Sequence, residues 1–419
     1  MIKIFKFGGA SVKDADGIRN LASVIETTGE KKIVIIVSAM GKMTNSLEVV
    51  VSNYFSNRQE LDASVSEIYN FHYKIISEIF NNKSHPVFSE VQKLFKDLNY
   101  FLKHSKSKNH AFVYDQVVGC GELVSTTIIS AYLSEKKIKN TFLDVRTCIK
   151  TDDNYRDANV DWELTQKNIR SLVNPHEITI TQGFLGAEGT NNFTTTLGRE
   201  GSDYTAAIFG YCLNAKSVTI WKDVPGVLNA DPRYFSKTQL LNHISYREAI
   251  ELAFYGASVI HPKTLQPLQR KEIPLFVKSF ISPLDQGTCV GKGVTLDPQV
   301  SCFILKRNQV LISLSSLDFS FMMEDNISAV FKLLHKYKMR VELIQNSAIS
   351  FSVCVDNKFN NLDALLAKLR ETFKVKWNEG VTLYTIRHSK PIEIQAITKG
   401  KVVMVKQESR DTVQLVIKE

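Results

Sequence analysis

The chain has 419 residues, which is more than a single hydrophobic core usually supports, so we expect two or more domains. Hydrophobic residues make up 44% of the chain and charged residues 23%, an ordinary globular composition that excludes a mostly disordered or fibrous protein. The net charge of +9 comes without a long lysine or arginine block, so it suits small anionic substrates as well as it suits nucleic acid. We interpret this charge as a contribution to solubility or to mild steering only, and we predict no nucleic-acid partner.

Cysteine usage and the N-terminus narrow the class further. The six cysteines are widely scattered without a Cys-x-x-Cys pair, which argues against a zinc cluster and against a secreted disulfide framework. The first residues predict a strand that runs into a glycine turn, unlike a secretory leader, and no apolar run reaches the roughly 20 residues of a membrane helix. We therefore expect a cytoplasmic protein with reduced thiols and no membrane partner.

The chain opens with a strand, a helix and a second strand, which together predict a parallel β-α-β unit. These elements are residues 2–7, Ser11–Ile25 and Ile33–Val37. Polar loops follow both strands, at Gly8–Ser11 and at Ser38–Thr44. Ligands of open α/β sheets bind at the carboxyl ends of the strands, so both loops are candidate walls of a site. Lys6 can place an ammonium over a phosphate there.

The middle of the chain continues the alternation of helices and strands. Its predicted elements are helices 58–81 and 87–104, an apolar helix through Leu133, and strands 141–145 and Ile178–Phe184. The apolar helix opens on Gly119-Cys-Gly-Glu122, and this glycine setting suggests that Glu122 contacts a ligand. The four histidines of the region have no metal-ligand spacing, so we predict packed or solvated side chains for them.

Residues 194–207 combine a guanidinium, glycines, a hydroxyl and a carboxylate at the start of a predicted helix, Tyr204–Leu213. Ser202 or Asp203 can cap this helix, so that its free N–H groups and its positive dipole end face a bound anion or metal-nucleotide. Gly198 and Gly201 would let the backbone approach that ligand closely. The alternative is an ordinary capped helix start with a solvated arginine.

A long loop and a change of pattern complete the chain. The predicted strand Ser217–Trp221 leads into loop 222–233, whose proline and glycine framework suits a nucleotide. From about residue 301, a β-α-β-β-α-β order predicts a ferredoxin-like module. Its elements are strand 310–317, helix 326–338, strands 340–344 and 348–356, helix 361–373 and strand 375–386. The tail 390–419 shows strands but no convincing helix, so it cannot form a complete second module.

Seven ordered motifs in the first 290 or so residues resemble those of the aspartate kinases, in the amino-acid kinase superfamily. They are Lys6-Phe-Gly-Gly-Ala-Ser-Val12, Val37-Ser-Ala-Met-Gly41, Gly119-Cys-Gly-Glu122, Leu197-Gly-Arg-Glu-Gly-Ser-Asp203, Trp221-Lys-Asp-Val-Pro-Gly226, Asp231-Pro-Arg233 and Val259-Ile-His-Pro262. The C-terminal part is similar, in pattern more than in residues, to the ACT regulatory region of such kinases. The resemblance implies a three-layer αβα amino-acid kinase fold over residues 1–295, an α+β ferredoxin-like ACT domain over 301–388, and a truncated ACT-like β segment over 389–419.

The resemblance also implies the reaction. ATP would phosphorylate the side-chain carboxylate of L-aspartate to give 4-phospho-L-aspartate, the first step towards lysine, threonine and methionine. Transfer between two anions needs positioning and charge neutralisation more than covalent help. The chain has no Gly-x-x-x-x-Gly-Lys-Ser/Thr loop, so backbone near the double glycine would hold the phosphates. Mg²⁺ would be held mainly through the nucleotide, with no separate metal site on the protein.

Residue roles follow from the matched motifs. Lys6 would stabilise charge on the transferred phosphoryl group, and Asp203 would orient Lys6 or help hold the magnesium nucleotide. Arg199 would grip a carboxylate of aspartate, and Glu122 would receive its ammonium. The other substrate residues would be Ser38, Thr44, Phe184 and Ser202. The nucleotide would contact Lys6, Gly8, Gly9, Lys222, Asp223, Leu228, Arg233, Ser258 and Val259.

Three departures from the family pattern bear on nucleotide binding. Ala10 replaces a usual threonine, which removes one hydroxyl, and Leu228 replaces a tyrosine that often lies near the adenine. Ser258 stands where many relatives have lysine, and Lys263 is a candidate to compensate. Since the departures spare Lys6, Arg199 and Asp203, the resemblance implies an active enzyme with weaker ATP binding.

Regulation is expected in the C-terminal region. In relatives inhibited by lysine, the effector pocket forms at the start of the first ACT helix and on the adjoining strand. The corresponding candidates are Met323, Asp325, Asn326, Ile327, Val341 and Glu342. For Glu342 the alternative is a solvated strand residue. Sheet edges at 381–417 favour a homodimer through the ACT region.

The sequence leaves two alternatives open. The chain could be another kinase of the superfamily, acting on glutamate-like or carbamate substrates. It could also be a catalytically inactive, amino-acid-sensing ACT protein, although retention of Lys6, Arg199 and Asp203 argues against that reading. The sequence as read contains no homoserine-dehydrogenase segment, so we expect a monofunctional kinase.

Overall fold

The computed structural model describes residues 1–257, 260–317 and 320–418. Their contacts divide the chain into two compact units. The first comprises Met1–Val227, Leu240–Ile250 and Val259–Asp297, and the second comprises Leu228–Gln239, Glu251–Ser258 and Pro298–Glu419. Two short segments before residue 260 thus belong to the second unit. That residues 1–295 form one catalytic domain stays a prediction.

The first unit is built on a large sheet. The strands of this part of the chain are β1 (Lys3–Phe7), β2 (Ile33–Val37), β3 (Asn140–Leu143), β4 (Lys150–Thr151), β5 (Ile178–Gln182), β6 (Leu185–Glu188), β7 (Thr194–Thr196), β8 (Ser217–Lys222), β9 (His243–Ser245), β10 (Leu275–Ser279) and β11 (Thr288–Gly291). Within the described residues, eight of them form one sheet in the order β3-β5-β2-β1-β8-β10-β11-β9. From β3 to β10 all neighbours are parallel. Every residue of β2 is buried, as an apolar strand covered on both faces should be.

Helices α6 and α9 pack on this sheet. The helices of this part of the chain are α1 (Ala15–Thr28), α2 (Met43–Ser56), α3 (Leu61–Ile79), α4 (Pro86–His104), α5 (His110–Val118), α6 (Cys120–Glu135), α7 (Val145–Cys148), α8 (Trp162–Leu172), α9 (Gly201–Leu213), α10 (Tyr246–Tyr255) and α11 (Pro262–Arg270). The helix predicted from Ser11 begins four residues later, because the Asp14 carboxylate accepts a hydrogen bond from the Gly17 N–H (2.8 Å) and so caps α1. The residues before it form a short 3-10 turn, Gly9–Val12.

One stretch of the described chain, His110–Glu135, has the length and apolar composition to cross a membrane. It consists of α5 and α6, and 72% of its most apolar window is buried inside the protein. Such burial is typical of core helices, so the stretch is weak evidence for a membrane span.

A buried carboxylate anchors the hairpin that leads into the glycine-rich loop after β7. Asp115, in α5, accepts hydrogen bonds from the Thr196 N–H (2.9 Å), the Thr196 hydroxyl (2.8 Å) and the Arg156 N–H (3.1 Å). Burial raises the pKa of Asp115 to about 6, and these donors oppose the rise. The carboxylate therefore fixes the end of β7, from which the chain continues to Asp203.

The second unit contains a six-stranded antiparallel sheet within the described residues, in the order β13-β14-β12-β15-β17-β16. Its elements are β12 (Cys302–Ser316), α12 (Glu324–Lys336), β13 (Arg340–Asn346), β14 (Ser350–Asp356), α13 (Leu362–Leu369), β15 (Phe373–Arg387), α14 (Pro391–Thr398), β16 (Val402–Glu408) and β17 (Thr412–Lys418). The predicted β-α-β-β-α-β order is confirmed from β12 to β15, while the domain bounds 301–388 stay a prediction. The tail strands continue the same sheet through pairing of β15 with β17.

The prediction that the tail contains no helix is wrong, because α14 begins at Pro391. A proline suits the first helical position, and the Glu393 carboxylate accepts a hydrogen bond from the Lys390 N–H (2.9 Å). The helix has only eight residues, and only the half-buried side chains of Ile394 and Ile397 pack on a core cluster. This apolar pattern is too short to predict a helix from the sequence.

Candidate active site

The carboxyl ends of four parallel strands meet the start of α9 at a cleft of about 300 Å³ in the first unit. Strand β1 contributes Lys6, β8 ends at Lys222, and the loop after β2 contributes Ser38. The residues that line the cleft are Lys6, Ser38, Thr44, Glu122, Phe184, Gly198, Glu200, Gly201, Ser202, Asp203 and Lys222. The structure thus brings together side chains that lie more than 200 positions apart in the sequence.

Two ammonium groups share one carboxylate at the base of the cleft. The Lys6 Nζ lies 2.6 Å from Asp203 Oδ1, and the Lys222 Nζ lies 3.8 Å from Asp203 Oδ2. The side chains of Lys6 and Asp203 are only 10% and 4% exposed, so water screens their interaction weakly. Two positive charges against one negative charge leave this group net positive, which favours an anionic ligand.

The two loops that follow β1 and β2 approach each other closely. A Cβ at Gly9 would lie 2.7 Å from the Gly41 carbonyl oxygen and 2.8 Å from the Ala39 carbonyl oxygen, so only glycine fits there. The Gly41 N–H donates a hydrogen bond to the Gly9 carbonyl (3.0 Å). This contact holds the double glycine beside the cleft, within reach of Lys6.

Glu122 brings a second, differently tuned carboxyl group into the cleft. Its Oε1 accepts a hydrogen bond from the Ala39 N–H (3.2 Å), while its Oε2 is buried without a hydrogen-bond partner among the described residues. Burial raises the pKa of Glu122 to about 8, against the opposing effects of the Ala39 N–H and of Lys6. An ammonium group of a ligand would give this oxygen its missing partner.

The start of α9 differs from the prediction that Ser202 or Asp203 caps it. The helix begins at Gly201 and Glu200 is the N-cap residue, with no capping bond from its side chain. Ser202 and Asp203 lie inside the first turn, where their side chains point to the cleft instead of closing the helix. The backbone fold of the loop, in which the Gly201 N–H bonds to the Gly198 carbonyl (3.1 Å), takes over the capping.

Sequence reasoning missed Glu200 as a cleft residue. It adopts a positive φ of 52°, which is uncommon for a residue with a Cβ, and its Oε2 is buried without a hydrogen-bond partner in the described part of the protein. Burial raises the pKa of Glu200, and the neighbouring Asp203 carboxylate raises it further. Its position between Gly198 and Gly201 was the available signal.

Comparison with known proteins assigns the family. Residues 1–279 match the model of the amino acid kinase family. The chain is 31% identical over 400 residues to the lysine-sensitive aspartokinase 3 of Escherichia coli, covering 92% of this chain and 86% of that protein. The chain belongs to the aspartokinases. The predicted family, the predicted fold class and the prediction of a kinase are therefore confirmed.

Solved aspartokinase structures agree with this assignment. The E. coli aspartokinase III in complex with lysine and aspartate has a TM-score of 0.84 and 29% identity, covering 99% of this chain and 95% of that one. The same E. coli enzyme in complex with aspartate and ADP has a TM-score of 0.82 and 28% identity, covering 100% and 96%. The aspartokinase architecture thus extends over the whole length of the chain.

Several predicted substrate and nucleotide residues do not line the aspartokinase cleft. Arg199 adjoins it in sequence, but its side chain is exposed, as is that of Asp223. Leu228 and Arg233 belong to the second unit, and Arg233 pairs with Asp231 (2.6 Å). Ser258 and Val259 lie outside the described residues. Their roles stay predictions.

The candidate effector residues lie at the start of α12 and on β13. Met323 precedes the helix, Asp325 and Asn326 occupy its first turn, and Ile327 packs on the core that Val341 also contacts. Glu342 is held by Lys306 and by Arg340, whose Nε lies 3.1 Å from the carboxylate. The alternative of a solvated side chain for Glu342 is wrong, because the side chain is 7% exposed.

The raised pKa of Glu122 predicts a pH-dependent stability. Between the ordinary pKa of 4.5 and the folded value of about 8, the folded protein keeps a proton that the unfolded chain releases. Stability therefore falls as pH rises through this window and is lowest above pH 8. Glu122→Gln removes this loss of stability. Without substrate, the thermal midpoint of the variant minus that of the native chain should therefore be about 3 °C larger at pH 8.5 than at pH 5.5.

The control is Glu135→Gln, at the exposed end of the same helix, which should show no such change. Equal differences at both pH values for Glu122→Gln would contradict the account. Differential scanning fluorimetry provides the measurement.

Proposed function

We propose that the cleft catalyses transfer of the γ-phosphoryl group of ATP to the side-chain carboxylate of L-aspartate, forming 4-phospho-L-aspartate on the route to lysine, threonine and methionine. The observation that carries this proposal is a cleft in which Lys6 and Lys222 meet Asp203, and which is also lined by Glu122, whose Oε2 has no hydrogen-bond partner among the described residues. The similarity to an E. coli aspartokinase III structure in complex with aspartate and ADP supports both substrates.

The acceptor amino acid would bind through opposite charges. Glu122 would receive its ammonium, because the buried Oε2 has no hydrogen-bond partner in the described residues and gains most from a charged donor. The hydroxyls of Ser38, Thr44 and Ser202 would orient the carboxylates. Arg199 would close over the substrate from the surface, where its exposed side chain has room to turn.

Charge neutralisation would lower the barrier to transfer. The donor phosphate and the acceptor carboxylate are both anions, so they must be held together against their repulsion. Lys6 and Lys222 would stabilise the charge that spreads over the transferred group, while the Asp203 carboxylate at 2.6 Å keeps the Lys6 ammonium in place before the substrates bind. The backbone at Gly8 and Gly9 would hold the phosphates in the absence of a Walker-type loop.

Mg²⁺ would enter mainly with the nucleotide. Within the described residues, no group of three or more His, Cys, Asp or Glu side chains could hold a metal ion. Asp203 and the buried Glu200 Oε2, which has no hydrogen-bond partner in the described part of the chain, nevertheless offer oxygen ligands of the kind that Mg²⁺ prefers. Bound there, Mg²⁺ would add positive charge at the phosphates.

We also propose a cytoplasmic location, since all six cysteines are free thiols.

Replacement of Lys6 tests the reaction directly. Lys6→Ala should lower kcat for aspartate-dependent ADP release by about 100- to 1000-fold, because it removes a charge that acts in the transition state. Circular dichroism should show an intact fold, and Lys31→Ala, an exposed lysine before β2, should keep full activity. The native chain should prefer L-aspartate to glutamate and carbamate in the same assay. Unchanged turnover of Lys6→Ala, or faster reaction with another acceptor, would refute the proposal.

We propose lysine as the effector of the second unit. The E. coli relative is described in complex with lysine and aspartate. We propose that the candidate residues at the start of α12 and on β13 form the corresponding site in this chain. In this chain Lys306 already binds Glu342, so the ammonium of an incoming lysine must compete with it. This competition predicts that Lys306 weakens inhibition of the enzyme by lysine.

Lysine should therefore inhibit aspartate phosphorylation more strongly than threonine or methionine does. Lys306→Met should lower the half-inhibitory lysine concentration by about tenfold, because Glu342 loses its internal competitor, and tenfold corresponds to a modest change in binding free energy. Lys332→Met, on the exposed face of α12, is the matched control and should leave it unchanged. Weaker inhibition of Lys306→Met than of the native chain would contradict the competition.

We further propose a homodimer through the second unit. Strand β16 ends the sheet in the described residues, and its side chains Val402 and Val403 are 64% and 39% exposed. An uncovered edge with exposed apolar side chains favours pairing with a second copy. Analytical ultracentrifugation should give twice the mass of the chain, and the double substitution Val402→Lys and Val403→Lys should shift it to the monomer. A native monomer at micromolar concentration would overturn the proposal.

A further inference from the structure

Lys263 holds the glycine-rich loop of the cleft from outside. It lies in the first turn of α11, and its Nζ donates hydrogen bonds to the Leu197 carbonyl (3.1 Å) and to Asp157 Oδ1 (2.8 Å). The same ammonium lies 5.0 Å from the centre of the Tyr204 ring, which is a cation–π distance. One side chain therefore ties together three separate segments, and we call this set of contacts the Lys263 clamp.

The clamp brackets the segment that lines the cleft. Leu197 precedes that segment and Tyr204 follows it. Five cleft residues lie between them: Gly198, Glu200, Gly201, Ser202 and Asp203. Asp157 reaches the same segment, because a Cβ at Gly198 (φ 78°) would lie 2.5 Å from its Oδ1. Both ends of the loop, and its first glycine, are thus in contact with the clamp.

The base of the clamp is rigid. The His261 ring caps α11 by accepting a hydrogen bond from the Lys263 N–H (3.2 Å), and Thr264 and Leu265 are fully buried where α11 packs on α9. The lysine therefore starts from a fixed backbone. Its ammonium can hold the loop at a defined distance from the helix that carries Asp203.

A direct role for Lys263 at the nucleotide phosphates is not favoured by these contacts. Its ammonium already has a carboxylate, a carbonyl and an aromatic face around it, and a phosphate could be reached only by breaking them. Compensation for Ser258, the role suggested by the sequence, would dismantle the clamp. The existing contacts join Lys263 to the loop that carries Arg199 and Ser202, two of the proposed substrate residues.

We infer that Lys263 is a positioning residue that holds the Leu197–Asp203 loop in the geometry required for binding the acceptor carboxylate. The inference rests on the proposed function for its kinetic consequence, but the ordering of the loop does not depend on it. The Lys263–Asp157 ion pair is 29% and 71% exposed, so the pair itself adds little to global stability. Its loss should change the loop more than the fold.

The chain contains a matched control at the far end of the same helix pair. Lys271 Nζ donates to the Tyr211 carbonyl (2.7 Å) and to Asn214 Oδ1 (2.6 Å), and it lies 4.0 Å from the centre of the Tyr211 ring. Like the clamp, these contacts join a lysine to a carbonyl, to a side-chain oxygen and to an aromatic ring, although the side-chain oxygen belongs to an uncharged amide. The residues that they join do not line the cleft. Lys271→Met therefore measures the general effect of losing such a contact between α11 and α9.

The test compares Lys263→Met, Lys263→Arg and Lys271→Met in the full chain. We expect Lys263→Met to raise KM for aspartate by about tenfold, since small misplacements of a site lower its efficiency strongly, while KM for ATP changes less than about twofold. Lys263→Arg should keep KM for aspartate close to the value of the native chain, and Lys271→Met should leave it unchanged. A rise in KM for ATP alone, or equal effects of Lys263→Met and Lys271→Met, would overturn the inference.

Hydrogen exchange decides the same question without activity. The Gly201 and Asp203 amides are bonded within the loop, to the carbonyls of Gly198 and Glu200. Lys263→Met should speed their exchange by about tenfold through local opening, while Lys271→Met should not. Unchanged exchange would overturn the inference. A native chain that fails to phosphorylate aspartate would refute the proposed function alone. If Lys263→Met fails to fold, Asp157→Ala removes one clamp contact and is judged by the same two criteria.

Discussion

The burial of Asp203 between two lysines is the constraint on which the rest of the site depends. A carboxylate that is 4% exposed is costly to ionise unless positive charge lies beside it, and the Lys6 and Lys222 ammonium groups supply that charge. They reach it only because β1 and β8 are parallel neighbours whose carboxyl ends lie at the same edge of the sheet. The order of the strands is thus what makes this charge arrangement possible.

Two carboxyl groups of the cleft, Asp203 and Glu122, differ in their surroundings. Asp203 has cations within ion-pair distance, whereas Glu122 has a single N–H donor and a buried oxygen without a hydrogen-bond partner in the described residues, so its pKa is about 8. The first can hold a cation in place before any ligand binds, and the second is best satisfied by a cation that the ligand brings. An acceptor with an ammonium at one end and a carboxylate at the other fits this polarity.

Much of the site could be predicted from the sequence, because its parts lie at strand ends and at a helix start that local patterns reveal. Apolar runs located β1, β2 and β8, and the parallel-sheet rule then placed Lys6 and Ser38 at one edge, while Lys222 was predicted from its loop and from the family motif. Other features arise from tertiary packing. The positive φ of Glu200 belongs to a loop that distant segments hold. Glu342 is buried where it contacts Lys306, beside a register shift between Val341 and Leu343. Neither is visible in a local pattern.

The central claim is that the ammonium groups of Lys6 and Lys222, which pair with Asp203 before substrates bind, contact the phosphoryl group during its transfer. A crystal structure with ADP, Mg²⁺, aluminium fluoride and L-aspartate tests it most directly, because the planar fluoride mimics the group in transfer. The account predicts the Lys6 and Lys222 ammonium groups within hydrogen-bond distance of the fluoride, and the aspartate ammonium on Glu122. A fluoride bound away from both lysines, with Lys6 still bonded to Asp203 alone, would contradict it.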